Sequence, residues 1–349
     1  MLASFTSTQY LNEANRNTVL KLQNRLITAQ QELASGRLAD VGVSLGGRTG
    51  ETVSLRQQYA RFTTLVETNS TVTTRLDVTQ ATLQSFSDTA QEFISTLLAS
   101  RDTDNGPTVS QGDAQANLVA LMDGLNSTLG GQYLFGGINT DTQPITDYYA
   151  TPTPANRQAV IDAFTTAFGT PPSDPDNNGI SAAAMQTFLD GPYANLFEEP
   201  SWSADWSAAS SANLTSRIST FEELETSTNA AEDGYRKLAK AYTMIADLGV
   251  GTLNKDAFGA LVDSAVKIAG EAIQDIVAVQ AKLGTASARI VASNDRMSAQ
   301  LNIMNTQIDN LETVDPFEAS TRVTTLLTQL ETAYSLTARV QRLTILNYL

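Results

Sequence analysis

Stepping alternately by three and four residues from Phe62 lands on Leu65, Asn69, Val72, Leu76, Thr79, Leu83, Phe86, Ala90, Phe93 and Leu97. Only Asn69 and Thr79 interrupt this apolar line, and neither Gly nor Pro falls within it. A repeat held over that span dictates a long helix built to pack against other helices. At ~1.5 Å per residue it runs roughly 50 Å, which predicts an elongated molecule.

The same spacing returns far downstream, on Val262, Ala265, Ala269, Ala272, Ile276, Val279, Leu283, Ala286, Ile290, Ser293, Met297, Gln300, Met304, Gln307 and Leu311. Neither line can be buried by its own helix, so an early and a late segment are expected to pair antiparallel, with everything between them projecting from one end. The predicted fold is mainly α: an antiparallel helical bundle or coiled-coil rod of N- and C-terminal segments, with a small inserted α/β domain. The predicted divisions are 1–45 with 312–349 as terminal helices, 46–137 with 229–311 as the helical rod, and 138–228 as the insertion.

A first helix over 8–35 carries Val19, Leu22, Leu26, Ala29 and Leu33 on one face, and Gly36 stops it. Asp40 to Gly50 is too rich in glycine for a helix interior and reads as an ordered connector. A third helix, about 111–129, places Ala114, Leu118, Leu121, Met122, Leu125 and Leu129 together and runs into Gly130-Gly-Gln-Tyr-Leu-Phe-Gly-Gly137, a short strand or hairpin. Eight of the ten prolines and both tryptophans fall within 138–228, which rules out continuous coiled coil there. Helices near 154–168 and 181–190 and one or two strands within 212–228 are expected. A fourth helix over 229–248 presents Tyr235, Leu238, Tyr242, Ile245 and Leu248. Asp315-Pro316 opens a last helix, 315–347, with Val323, Leu326, Leu330, Ala333, Leu336, Val340 and Leu343 on one side.

Charge is uneven. Of a net −15, residues 101–251 hold −13, from 19 acidic and 6 basic side chains, whereas 1–50 come to +2 and 313–349 to zero. Such a division reads as a solvated acidic middle and ends that meet other protein. No basic stripe suits a phosphate backbone, and no apolar run is long enough to span a bilayer. The start lacks the basic and apolar regions of a cleaved secretion signal. His and Cys are both absent, which removes thiolate metal sites, disulfides and the commonest general base at neutral pH.

The ends resemble the flagellin superfamily. Gln31-Glu-Leu-Ala-Ser-Gly-Arg37 looks like that family's first-helix terminus, and two stretches are similar to its hook-associated members: Gly131-Gln-Tyr-Leu-Phe-Gly-Gly-Ile-Asn-Thr140 and the ending from Leu336 to Leu349. The resemblance covers about 1–140 and 230–349. It departs at Val41-Gly-Val-Ser-Leu-Gly-Gly47, where many members carry a Ser-Asp-Asp-Pro-like connector. It implies a structural, non-enzymatic subunit, exported unfolded by an uncleaved signal and lying outside the cell in the flagellum. The implied partners are its own copies, the first hook-associated protein, flagellin and an export chaperone. Residues 1–45 and 312–349 would form the polymerising core, with Val19, Leu22, Leu26, Leu33, Leu326, Leu330, Val340, Leu343 and Leu346 as candidate assembly residues. The competing reading is that these side chains hold the chain's own hairpin. Two other functions are a filament flagellin and a signalling coiled coil of the chemoreceptor kind; the proline-rich insertion disfavours the latter.

Other motifs carry less. Asp174-Pro-Asp-Asn-Asn-Gly179 matches half of a calcium loop, but the twelfth position is Met185 where a bidentate Glu belongs, so an Asx-rich turn is expected. Glu198-Glu199 and Glu222-Glu223 are paired carboxylates with no His, Cys or neighbouring base, and read as solvating groups. Trp202 and Trp206 are a turn apart and read as core rather than a sugar platform. No catalytic set, metal site or cofactor is expected.

Overall fold

A computed structural model describes residues 8–342. The chain is mainly helical, with a small inserted segment carrying short strands. Its elements run α1 (Thr8–Ser35), α2 (Val41–Leu45), α3 (Thr49–Ser100), α4 (Gly106–Leu125), β1 (Thr128–Leu129), β2 (Gln132–Tyr133), α5 (Ala155–Phe168), α6 (Ala182–Asp190), β3 (Thr215–Arg217), β4 (Glu223–Glu225), α7 (Asp233–Asp247), α8 (Lys255–Glu312) and α9 (Pro316–Arg342). They divide into two compact units, residues 1–64 with 297–349 and residues 65–296.

The second unit has one continuous core. From Leu76 to Leu97 the predicted line of α3 is buried, as are Ala114, Leu118, Leu121, Met122 and Leu125 of α4 and Tyr235, Leu238, Tyr242 and Ile245 of α7. On α8, Val262 through Ile290 complete it, Val279 being half-buried. α3 and α8 run antiparallel here: Arg101 Nη2 donates to Asp263 Oδ2 (2.7 Å), Gln80 Nε2 to the Gln280 carbonyl (2.8 Å) and Asn69 Nδ2 to Asn294 Oδ1 (2.7 Å). The polar breaks in both lines have a purpose. Asn69 and Ser293, each buried, converge on the carbonyl of Ile218 at 2.9 and 3.0 Å, so they fasten the β3–β4 hairpin to the helices.

The inserted segment shares this core. An aromatic chain passes from Phe164 and Phe188 through Tyr193 and Phe197 to stacked Trp206 and Trp202, whose rings lie 5.3 Å apart. Tyr148 stacks on Trp206, and its hydroxyl donates to Asp247 Oδ2 at the end of α7. Arg157 holds the same carboxylate through Nε (2.9 Å) and Nη2 (3.2 Å). Burial and the neighbouring Asp247 carboxylate push the Tyr148 phenol well above its ordinary value, so it remains the donor. At Gly249, φ is +69° and an added Cβ would sit 1.9 Å from the Pro172 carbonyl, so only glycine lets the α7–α8 turn meet the insertion.

The short strand or hairpin expected near 130–137 is a hairpin, and its frame is shifted. Gly130 and Gly131 both have positive φ and form its two-residue turn, pairing Leu129 with Gln132 and Thr128 with Tyr133. The glycine pair is therefore the turn itself, not the strand's border.

In the first unit α1 packs on α9 through Leu26, Ala29 and Leu326, with Leu22, Val323 and Leu330 against them. Asp315 caps α9 as expected, accepting from the Phe317 amide at 2.8 Å. Three sequence readings change. Asp40–Gly50 is not a helix-free connector: Asp40 Oδ1 accepts from the Val43 amide (2.9 Å), starting the single turn α2, and α3 begins at Thr49. On α8 the inward line slips at Met297, where Leu301, Met304, Ile308 and Leu311 turn inward and Gln300 stays exposed. Two successive steps of four make a stutter that keeps pace with ~3.6 residues per turn, which a strict heptad does not. On α9, Leu336 is exposed and Thr337 takes the inward place.

Candidate assembly surface

The joint that orients the terminal helices is built from backbone first. Leu38 N–H donates to the Glu312 carbonyl (2.8 Å) and Val314 N–H to the Gly36 carbonyl (3.0 Å), tying the segment after α1 to the connection between α8 and α9. Charges then lock it. Arg56 of α3 grips the Glu312 carboxylate with Nε at 2.8 Å and Nη2 at 2.5 Å, while Arg37 donates to Asp309 at 2.5 Å. Glu312 is fully buried, and Arg56 holds its carboxyl below the usual range.

Because that folded value lies below the unfolded one, the stabilisation is complete above the ordinary carboxylate range and is lost as pH falls through the folded value. Glu312→Gln is therefore expected to cost the first unit about 1–3 kcal/mol near neutral pH, Arg56 and Arg37 being half-exposed, and to flatten its acid-side loss. Hydrogen exchange of the α1 and α9 amides between pH 7 and pH 3 checks this, and identical pH curves for variant and parent would contradict it.

Glu32 is the residue that sequence reasoning misplaced. Leu33 was expected on the inward line, but it is 39% exposed and Glu32 is buried instead. Its carboxylate accepts from Arg322 Nη1 of α9 at 2.9 Å, a partner 290 positions away that no local pattern announces.

Of the candidate assembly residues, Leu26 and Leu326 are buried in the α1–α9 pair with Leu22 and Leu330 packed against them, so these four serve the chain's own hairpin, and Val19 is half-buried. Leu33 is free at the surface. The side chain of Val340, and Leu343 and Leu346, lie outside the described residues.

A second stripe stands beside the first, and its α9 members, Leu327 and Tyr334, are legible in the sequence as apolar positions beyond a two-helix seam. Leu20 and Ile27 on α1 stand seven residues apart and are 48% and 58% exposed; Leu327 and Tyr334 on α9 repeat the spacing at 41% and 48%, the Tyr334 hydroxyl accepting from Gln23 Nε2 of α1 at 2.7 Å. Each stripe lies one residue round from the inward line. Heptad-spaced apolar side chains outside a two-helix contact form a seam for a further helix. The signal was present in the sequence, as a second apolar repeat offset by one from the first.

The remaining motifs resolve structurally. Asp174 caps a short 3₁₀ turn, Pro175–Gly179, and Asn177 points inward to the carbonyls of Pro171 and Pro172. No group of acidic side chains among the described residues could hold a metal. Trp202 and Trp206 are fully buried, leaving no face for a sugar. The acidic pairs do have basic partners, contrary to the local reading: Glu198 meets Arg236, Glu222 meets Arg289, and Glu223 meets Arg217. Among the described residues no helix is long and apolar enough to cross a membrane.

The Bacterial flagellin N-terminal helical region family matches residues 6–140, and the Bacterial flagellin C-terminal helical region family matches residues 266–349. No curated protein sequence matches the chain. Among solved structures, a Vibrio parahaemolyticus protein titled "putative flagellar hook-associated protein" shares the fold at 9% identity, with a TM-score of 0.51. That likeness covers 76% of this chain and 97% of the other. With both helical regions matched at the chain's two ends, where the paired helices lie, the chain belongs to the flagellin superfamily, as a structural component of the bacterial flagellum.

Proposed function

We propose that this chain is the hook–filament junction subunit, flagellar hook-associated protein 3. It would join the first hook-associated protein on the hook side to flagellin on the filament side by packing its terminal helices into the helical polymer. The observation that carries the packing mechanism is the outward stripe of Leu20, Ile27 and Leu327 beside a hairpin already closed by Leu26 and Leu326. Those side chains are too apolar and too regular to be left in water. The junction role, rather than the filament, is supported by Gly131–Thr140 and the ending from Leu336, and by the fold shared with a described hook-associated protein.

The reading includes passage through the flagellar type III route, delivery by an export chaperone, and a final position outside the cell. Residues 1–45 with 312–349 act as the polymerising core, 46–137 with 229–311 as the rod, and 138–228 as the outer domain. A filament flagellin is the second reading, favoured by the family match itself. Immunogold labelling of isolated flagella separates the two. Gold confined to a narrow band where hook meets filament is expected, and gold along the whole filament would replace the junction reading with the flagellin one.

A further inference from the structure

The lysines of α7 and α8 are not alike. Lys237 holds Asp275 at 2.7 Å, Lys255 faces Asp102 and Lys282 pairs with Glu225, while Lys267 stands exposed. Lys240 is half-buried and finds no ion-pair partner among the described residues, although Glu198, Asp190 and Glu271 bear on it. Burial pushes its ammonium below the ordinary value, which marks a cation short of a counter-ion. A lysine that only snorkels past apolar neighbours ends in open water. This one lines a recess of about 350 Å³ bordered by α7, α8 and the segment that ends the 3₁₀ turn Ala194–Phe197.

The walls are fixed by their own contacts. The Arg236 guanidinium donates to the Phe197 carbonyl (3.3 Å), pairs with Glu198 (3.3 Å) and is held by Asp233, so it ties that segment to α7. The Tyr193 hydroxyl donates to the Lys240 carbonyl (2.7 Å), bracing the turn of α7 that carries the amine. Two charges then remain open. Lys240 is one, and Glu271 is the other: it reaches Lys237 only at 3.7 Å, and Lys237 makes its close contact with Asp275. In the lining, Arg236, Lys237 and Lys240 face Glu198, Asp233 and Glu271, three charges of each sign. Such a balanced set favours neither a net anion nor a net cation, but it suits a molecule carrying one charge of each sign. Half-buried Ile268, one turn before Glu271 on α8, supplies an apolar side to the recess. The volume is that of a small-molecule site.

The geometry points to a binding site for a free α-amino acid, with Lys240 taking its carboxylate, Glu271 its ammonium and Ile268 an aliphatic side chain. The site lies within one unit, and it depends neither on association of copies nor on the chain's position in the flagellum.

Isothermal titration calorimetry of the full-length chain with L-valine tests this, beside isovalerate and isobutylamine, which each lack one of the two charges. Saturable valine binding is expected, with a dissociation constant of about 1 mM or tighter. Each analogue should bind at least ~10-fold more weakly. Lys240→Met keeps the stem and Glu271→Gln keeps the shape; each should weaken valine by about 10- to 100-fold and leave thermal unfolding unchanged. Lys267→Met, exposed on α8 and outside the recess, should bind as the parent does. Valine binding that survives both recess substitutions, or isovalerate binding as tightly as valine, overturns the proposal. So does the absence of saturation. Should Lys240→Met lose helix content, Glu271→Gln decides alone, because that side chain is 46% exposed and its loss leaves the fold intact.

Discussion

Replacing Phe93 by alanine is expected to lower the urea midpoint of the second unit by about 1–2 M. The ring is fully buried on α3 and meets Tyr242 of α7 edge-on, with centroids 4.9 Å apart at 78°. Truncating a buried Phe costs about 3–5 kcal/mol, part transfer and part cavity. The edge-to-face pair adds ~0.5–1.5 kcal/mol at the upper end. Dividing by a slope of about 2–3 kcal/mol/M gives the midpoint shift. Fluorescence is the right probe, because the chain's two tryptophans, Trp202 and Trp206, are both buried in this unit's core and report on nothing else. Leu98→Ala, on the same helix but 58% exposed, is the control, with a change within about 0.5 kcal/mol. Equal shifts in the two variants would mean that α3 does not form the core described.

The second large effect concerns assembly without stability. Ile27→Ser and Leu327→Ser remove apolar groups that the chain's own hairpin leaves in water, so helix content and thermal unfolding of the monomer should hold steady. Burying each such side chain at a subunit contact is worth ~1.5–3 kcal/mol, and each substitution should raise the critical concentration for polymerisation by about 10- to 100-fold. Leu26→Ala is expected to behave in the opposite way, loosening the α1–α9 pair by about 2–4 kcal/mol before assembly is tested. Sedimentation paired with circular dichroism separates the cases. An Ile27→Ser monomer that unfolds while Leu26→Ala stays intact would reverse the assignment of the two stripes.

The long helices were legible because the signal lay in many residues at once: Leu76, Leu83, Phe93 and Leu97 agree on one register, and no single exception could shift it. Helices α5 and α6 inside the insertion were legible for the same reason. What escaped notice depends on pairs remote in sequence. Glu32 replaces Leu33 on the inward line only because Arg322 waits across the hairpin, and a binary reading of apolar and polar types ranks Leu above Glu. The stutter at Met297 escaped because Gln300 and Leu301 are neighbours, and a strict heptad selects the wrong one. Asn69 read as a flaw in the α3 line. It is the dock for the Ile218 carbonyl, and nothing near position 69 predicts a hairpin 149 residues away. The candidate surface was half legible: its location at the two ends followed from the repeats, and Leu327 stood out as apolar beyond a two-helix seam, whereas Leu20 and Ile27 required knowing which stripe of α1 the chain keeps for itself.

The junction role is tested most directly by deleting the gene in the source bacterium and examining the cells and the medium. The account predicts cells with completed hooks and no filaments, and flagellin accumulating unpolymerised outside, with filaments restored by the parent gene and poorly restored by Ile27→Ser. Normal filaments on the deleted strain would contradict it.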